Sequence, residues 1–277
     1  MSVTLRSDRA VLRFSGRDAQ KLLNDVITGH VEASQGPARW WALLSAQGKI
    51  QAEGLIGWGE DAFWLDVHNS VADDFFKRMR LYKLRAEVTI EDKRATHRVG
   101  WSPEAPTEGI VHADARAEGL GFRVIDTIEV AEGWDADITP YLDARIAAGI
   151  PEQGADFPAD STFAHDAAMD ILGGIDFDKG CYVGQEVVSR MKHRGTARRR
   201  PVIAVIAVIA TGEAGTPVLA GERDAGAIGA VANGKAVGIV RLDRITDSAP
   251  ISVGGQPAQL TLPAWATYAF GESAANE

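Results

Sequence analysis

The N-terminal part of the chain alternates extended apolar runs with helical spacing. Residues 10–14 are apolar and predict a strand, and residues 15–16 offer a cap for the helix that follows. The apolar residues of that helix recur at i, i+3, i+4 and i+7; they are Ala19, Leu22, Leu23 and Val26. Gly29 is expected to end this helix.

Three strands and a second helix are predicted next. The apolar stretches at 40–44, 48–58 and 63–67 favour strands, the first two joined by a turn at 45–48. A helix begins at Asn69, with acidic residues near its start and basic residues near its end, as the helix dipole favours. Its expected buried face consists of Val71, Phe75, Met79 and Tyr82.

The middle of the chain mixes both kinds of element. Residues 86–91 and 121–130 predict strands, with a polar connection at 103–119 between them. Thr139-Pro140 begins another helix, which Gly149 ends, because proline suits the first helical turn and glycine suits the position after the last one.

From Pro201 onward the pattern is that of a small antiparallel barrel. Its expected parts are a buried strand at 202–210, a turn-rich stretch at 212–226, a hairpin at 227–242 around Asn233-Gly234, and a short strand at 259–262. The sequence therefore predicts an α+β fold with one region at 1–198 and a C-terminal β-barrel domain at 199–277.

The charge distribution limits the functions open to the chain. Its 277 residues are 45% hydrophobic and 24% charged, an ordinary globular balance, and the net charge of −9 argues against nucleic-acid binding through overall charge. Segment 189–200 is an exception, because it contains six basic residues and no acidic one. This segment is either a solvated loop or a site for an anionic ligand.

Cysteine content and hydropathy set further limits. Cys181 is the only cysteine, so the chain can form no internal disulfide and no metal site built mainly from its own thiolates. The longest apolar stretch, residues 201–210, is about half of the roughly 20 residues that a membrane helix needs. Residues 1–9 lack the apolar centre of a secretory signal. No membrane span and a cytoplasmic location are expected.

The densest chemistry lies around Cys181. Gly180 and Gly184 flank the cysteine, and helical spacing begins just after them, which predicts a sharp turn into a helix. A thiol at a helix N-terminus beside cationic groups such as Lys179 ionises more readily, so Cys181 is a candidate reactive thiol. The competing interpretation is a buried cysteine that serves only as a small apolar side chain.

Residues 179–186 carry a family resemblance. Their sequence, Lys-Gly-Cys-Tyr-Val-Gly-Gln-Glu, closely resembles the K-G-C-Y-x-G-Q-E signature of the YgfZ-type folate-binding proteins. These belong to the superfamily of the glycine-cleavage T-protein, an aminomethyltransferase, and include the mitochondrial Iba-type iron–sulfur maturation factors. Further similar stretches lie at 14–19, 44–50, 145–151, 215–217 and 226–229. The chain departs from the family at Thr28-Gly29-His30, where an aspartate commonly follows the threonine.

This resemblance implies a clover-like fold around a central hole that binds tetrahydrofolate or a one-carbon derivative. The folate-binding, aminomethyltransferase-like region would be 1–198, built from two interleaved subdomains. Cys181 is then the functional thiol, Glu186 the acceptor for the pteridine, and the anionic tail is held by arginines. Those arginines are Arg190, Arg194 and Arg198. The other implied folate-binding residues are Lys179, Gly180, Tyr182, Gly184 and Gln185.

The implied function is that of a folate-dependent accessory factor for assembly or repair of [4Fe–4S] proteins. A single thiol cannot hold a cluster alone, so a transient cluster would be shared with a partner. Expected partners are iron–sulfur assembly or client proteins, with RNA open but not favoured. Conventional aminomethyl transfer is not expected, because no aspartate for it is identified. Two alternatives remain: a folate-dependent one-carbon transferase or tRNA-modification factor, and a folate-binding scaffold without chemistry.

Overall fold

The chain folds into two antiparallel sheets, five α-helices and a closed barrel, in a computed structural model that describes residues 2–195, 197–206, 213–246 and 248–272. The predicted α+β class with a C-terminal antiparallel barrel is confirmed. None of the helices in these ranges is long and apolar enough to span a membrane.

The first 195 residues contain nine strands and five helices in the described ranges. In chain order these are β1 (Thr4–Leu5), β2 (Arg9–Ser15), α1 (Ala19–Val26), β3 (Arg39–Leu44), β4 (Ile50–Gly59), β5 (Ala62–His68), α2 (Asn69–Lys83), β6 (Thr89–Asp92), β7 (His97–Ser102), β8 (Ile110–Ala113), β9 (Phe122–Thr127), α3 (Ile128–Ala131), α4 (Thr139–Ala147) and α5 (Gln185–Arg194). The strands form a five-stranded sheet in the order β3-β4-β5-β2-β6 and a four-stranded sheet in the order β1-β7-β9-β8.

Both faces of the five-stranded sheet are covered. Trp40 and Trp41 are neighbours on β3 and both are fully buried, because successive side chains of a strand point to opposite faces. Trp41 packs with Phe75 of α2 in the core beneath α1 and α2, whereas Trp40 packs with residues of the segment before α5 and of the barrel. Burial on each face stabilises the sheet by roughly 1.5–3 kcal/mol per large side chain.

The six remaining strands close into a barrel. They are β10 (Arg199–Ile206), β11 (Pro217–Ala220), β12 (Arg223–Ala232), β13 (Lys235–Arg241), β14 (Ile251–Val253) and β15 (Gln256–Thr261), in the spatial order β10-β13-β12-β11-β14-β15. Asn233 and Gly234 have φ values of 48° and 72°, which the predicted tight hairpin between β12 and β13 requires. Residues 207–210 of the predicted strand lie outside the described residues, and the division at 198 and 199 stays a prediction.

Some local predictions are wrong. Strand β8 lies inside the predicted polar connection at 103–119, since its four residues are held by pairing with β9, a tertiary effect that local propensity does not carry. The strand predicted at 121–130 ends at Thr127, where α3 begins. Tyr82 is exposed, because the last turn of α2 extends past its buried residues, which end at Met79.

Candidate functional site

A cavity of about 870 Å³ lies where the sheets meet the barrel. Lys49, just before β4, and His68 and Ser70 at the start of α2 form one wall. Segment 153–166 forms a second wall, and residues of β10, β12 and β13 form the third. Its volume lies within the roughly 300–1,000 Å³ typical of cofactor pockets.

Gln153 presents an unsatisfied acceptor in this cavity wall. Its side chain is buried, and its Nε2 donates to the Gln51 carbonyl oxygen at 3.2 Å, but its Oε1 has no hydrogen-bond partner among the residues that the structure describes. A buried carbonyl oxygen without a donor destabilises a protein by about 1–3 kcal/mol. Gln153 Oε1 is therefore an acceptor of the cavity wall that the described residues leave unpaired.

Asp166 is the second acceptor in the cavity wall. Burial raises the pKa of its carboxyl group to about 6, although Lys49 and Arg199 favour the charged form. Both cations also line the cavity. Lys49 Nζ donates to the Ser161 carbonyl oxygen at 2.8 Å, and burial lowers the pKa of this lysine. The cavity thus combines a buried carboxyl group with two cations.

Glu152, next to Gln153, fixes the wall from behind. Its carboxylate is buried and accepts hydrogen bonds from Arg6 at 2.9 Å and from the Tyr141 hydroxyl at 3.0 Å. Four more guanidinium groups lie within 4 Å of it, those of Arg9, Arg116, Arg123 and Arg145. Burial alone would raise the pKa of Glu152, but the arginines hold it well below its usual range.

The same segment is fastened to the barrel. Asp156 forms an ion pair with Arg145 and accepts a hydrogen bond from the Glu152 backbone N–H at 2.8 Å. In β12, the Ala230 N–H donates to the Ala155 carbonyl oxygen at 2.8 Å. A Cβ on Gly229 would lie 1.9 Å from Asp156 Oδ1, so only glycine permits this approach. The wall with Gln153 and Asp166 is therefore held by both the sheets and the barrel.

The loop that carries Cys181 is anchored by its neighbours. Lys179 Nζ donates to the backbone carbonyl oxygens of Ile27 and of Gly29, the latter at 2.9 Å, and burial lowers the pKa of Lys179 to about 8. Tyr182 is buried in the core on the Trp40 face of the sheet. Cys181 itself is exposed, which contradicts the interpretation of a buried apolar cysteine.

The start of α5 lies close to the turn that leads into the cavity. Gly184 caps α5 with φ of 83°, and a Cβ there would lie 2.8 Å from Leu44 Cβ and from the Ser45 carbonyl oxygen. A Cβ on Gly48 would lie 2.7 Å from Val187 of α5. Lys49, the next residue, lines the cavity. The Cys181 loop and the cavity are therefore joined through residues 44–49.

The structure separates several predicted folate ligands from the cavity. Glu186 is 88% exposed and pairs with Arg190 at 3.0 Å, and neither residue lines the cavity. Glu186 points to solvent because Val188 on the same helix is buried, and residues two positions apart on a helix face in different directions. Arg198 is also exposed and outside the cavity lining, and the side chain of Arg194 lies outside the described residues.

The other predicted folate ligands lie in the Cys181 loop and at the start of α5. Gly180 is exposed and borders a separate cavity of about 500 Å³ together with Lys179 and His30. Gln185 is the first residue of α5, and its backbone N–H bonds the Tyr182 carbonyl oxygen at 3.2 Å. The structure thus brings the signature together as one loop and helix start, outside the 870 Å³ cavity.

Sequence reasoning missed the residues that line the cavity. Gln153 and Asp166 belong to segments without a local motif, and Arg199 is not among the arginines predicted to hold the anionic tail. One signal was present, because Lys49 falls in the family-like stretch 44–50. Among the described residues no group of three His, Cys, Asp or Glu side chains is placed to hold a metal ion.

Comparisons with known proteins show what the barrel and the whole chain are similar to. Residues 198–268 match the family model described as the CAF17 C-terminal β-barrel domain. The IBA57 homologue of Neurospora crassa, named as a mitochondrial iron–sulfur cluster assembly factor, is 30% identical over 72% of this chain and 52% of its own length. Mouse IBA57 is 26% identical over 79% of the chain and 74% of its own length.

A further fungal relative and one crystal structure are also similar to this chain. The Pyricularia oryzae IBA57 homologue is 29% identical over 73% of this chain and 57% of its own length, so the chain spans about half the length of these fungal relatives. The crystal structure of the glycine cleavage system aminomethyltransferase T from Bartonella henselae has a TM-score of 0.74 at 13% identity. The alignment covers 97% of this chain and 87% of that one, which shows a shared fold.

The relatives overturn the expected location. Each of the three IBA57 proteins is named as mitochondrial, which contradicts the prediction of a cytoplasmic protein. The prediction failed because the lack of an apolar centre in residues 1–9 argues only against a secretory signal. Mitochondrial targeting segments are instead amphipathic and rich in arginine.

Proposed function

We propose that this chain, an IBA57-like protein of the T-protein superfamily, assists the assembly of iron–sulfur clusters by means of a folate cavity and an exposed thiol. The names of the similar proteins support the general role. The cavity with Asp166 and Gln153 is the observation that carries the folate part of the proposal.

Tetrahydrofolate fits the chemistry of this cavity. Its pteridine presents neighbouring N–H donors, which a carboxylate such as Asp166 and an unpaired amide oxygen such as Gln153 Oε1 would accept. Its glutamate tail is anionic and would be held by Lys49 and Arg199, which line the same cavity. When bound, the folate would supply a reduced pteridine that carries one-carbon units.

Cys181 supplies the second part of the proposed function. It is exposed on a loop that Lys179 and Gly184 hold in place, so its Sγ is accessible to another protein. A thiolate formed by loss of the Sγ proton is a ligand for iron in a cluster, and the remaining ligands would come from a partner chain. The cluster is here the cargo of the protein.

The proposal is tested in cells that lack this protein, with the activity of a [4Fe–4S] enzyme as the readout. Cys181→Ala and Asp166→Asn should each fail to restore that activity, although both variants fold. Glu186→Gln, a change at an exposed residue outside the cavity, is the matched control and should restore it. Full activity of Cys181→Ala would exclude the thiol role, and net consumption of methylenetetrahydrofolate by the purified protein would favour a one-carbon transferase.

A further inference from the structure

The end of α2 exposes an unusual concentration of apolar surface. Leu81 is 65% exposed, Tyr82 38% and Leu84 87%. In the described part of the chain only two other large apolar side chains are comparably exposed, Val130 and Val205, and they lie elsewhere in the sequence. Three such residues within four positions form a patch, which single exposed leucines do not.

Basic side chains surround this patch. Between residues 77 and 85 the chain carries five basic residues and no acidic one; they are Lys77, Arg78, Arg80, Lys83 and Arg85. Within the described ranges, none of the five lies within 4 Å of a carboxylate. In a chain of net charge −9 this is a second local concentration of positive charge. We call residues 77–85 the α2 patch.

The α2 patch contains a groove. A cavity of about 330 Å³ is formed by Asp74, Lys77, Arg78, Leu81 and Tyr82. These residues follow the i, i+3, i+4, i+7, i+8 spacing of one helix face, which adjoins the face that buries Phe75 and Met79. The outer face of α2 is therefore concave at its end and combines two apolar side chains with three charged ones.

The backbone of the α2 patch is strained at Leu84. Its φ of 44° and ψ of −108° form a combination that a leucine rarely adopts, and its side chain points to solvent. Within this chain the strained residue gains no compensating burial. Strained residues of this kind are typical of functional surfaces.

Helix α1 connects the α2 patch with the Cys181 loop. At the start of α1, Asp18 Oδ2 accepts from the Glu87 N–H at 2.8 Å, two residues beyond the patch. Just past its end, the Gly29 carbonyl oxygen accepts from Lys179 at 2.9 Å. The eight residues of α1 span about 12 Å, so both surfaces lie within reach of one partner protein.

We propose that the α2 patch is a docking surface for an acidic protein segment that inserts apolar side chains between Leu81, Tyr82 and Leu84. The basic rim complements the acidic charge of such a segment, and the groove accepts its apolar anchors. Docking there holds the partner beside Cys181; this last consequence rests on the proposed function, whereas the docking itself does not.

The exposed apolar residues favour an acidic protein segment over RNA and over an anionic membrane as the partner of the α2 patch. An RNA backbone would pair with the basic rim but would leave Leu81 and Leu84 in water, since only Tyr82 offers a ring for base stacking. An anionic membrane offers a flat surface, whereas Leu81 and Tyr82 line a groove that a single inserted side chain fills.

The test uses a synthetic amphipathic helical peptide with leucines along one face and glutamates on both flanks, followed by fluorescence anisotropy. Leu84→Gly removes the side chain and suits the positive φ, so the variant stays folded and should bind about tenfold more weakly. Arg78→Glu combined with Lys83→Glu should weaken binding further. Val130→Ser and Lys235→Glu, which change exposed residues outside the patch, are the matched controls and should bind as the wild type does.

Three results would overturn the docking proposal. These are no binding of the peptide to the wild type, equal binding by Leu84→Gly, and patch-dependent binding of polyuridine RNA or phosphatidylserine vesicles in place of the peptide. Cys181→Ala and Asp166→Asn should keep full peptide affinity. Loss of the iron–sulfur function with peptide binding intact would therefore separate the failure of the proposed function from that of the docking surface.

Discussion

Lys179 Nζ donates a hydrogen bond of 2.9 Å to the carbonyl oxygen of Gly29, which fastens the Cys181 loop to the end of α1. The same Nζ also donates to the carbonyl oxygen of Ile27, the residue that follows α1. The lysine of the signature is therefore an anchor of the loop and lies outside the 870 Å³ cavity. The arrangement explains how one segment can expose Cys181 and still hold it in a fixed position.

Replacement of this anchor should loosen the loop. Lys179→Met leaves two carbonyl oxygens without their donor and should lower the free energy of unfolding by about 1–3 kcal/mol. Hydrogen exchange should become faster in residues 176–184, while tetrahydrofolate binding stays unchanged. Unchanged exchange in that loop would show that Lys179 does not anchor it.

Two glycines of the signature should respond differently to alanine. At Gly184 the φ of 83° and the close contact with Leu44 and Ser45 make Gly184→Ala destabilising, by about 1–3 kcal/mol. At Gly180 a Cβ would meet no atom within 4 Å, so Gly180→Ala should leave stability unchanged. Urea denaturation of both variants measures the contrast, and equal stabilities would contradict the described start of α5.

Glu152 and Glu186 should differ in how much the loss of their charge destabilises the protein. Glu152→Gln leaves five buried arginines around a neutral group and should destabilise the protein by about 3–5 kcal/mol. Glu186→Gln removes only an exposed pair with Arg190 and should have no measurable effect on stability. If thermal unfolding gave the two variants the same midpoint, Glu152 would not organise the cavity wall.

Asp166 should make both stability and folate binding depend on pH. Its folded pKa of about 6 lies above the ordinary value near 3.9, so its contribution to stability is present below about pH 4 and is lost as the pH rises through 6. Asp166→Asn should therefore gain stability relative to the wild type between pH 4 and 7. Denaturation at several pH values would reveal this, and a constant difference would contradict the raised pKa.

The affinity for tetrahydrofolate should change with pH in the opposite direction to the stability. The ionised carboxylate is the better acceptor for a pteridine, so affinity for tetrahydrofolate should rise between pH 5 and 7 and then level off. Besides Asp166, the charged groups that influence its carboxyl are Lys49, Arg199 and Arg200. A pH profile that is the same in Asp166→Asn would assign the titration to another group.

The sequence was informative where chemistry is local. Helix α2 and the Asn233-Gly234 hairpin were predicted from spacing, capping and turn residues, which act over a few positions. The eight-residue signature indicated the resemblance, and the comparisons found IBA57 proteins among similar sequences and an aminomethyltransferase T with a shared fold.

The site was less predictable because it is assembled from distant segments. Lys49, Gln153, Asp166 and Arg199 meet only in the folded chain, and no spacing relates them. The arginines around Glu152 look like surface charges in a sequence, although all five are buried. Glu186 was chosen because it belongs to the motif, and its direction on α5 depends on which face of that helix packs inward.

We propose that the cavity lined by Asp166 and Gln153 binds a reduced folate while Cys181 acts outside it. Anaerobic calorimetric titration with tetrahydrofolate tests this most directly, with wild type, Asp166→Asn, Glu186→Gln and Cys181→Ala compared at pH 7. We expect binding by the wild type, an affinity about tenfold or more lower for Asp166→Asn, and unchanged affinity for the other two variants. No binding by the wild type, or equal binding by Asp166→Asn, would contradict it.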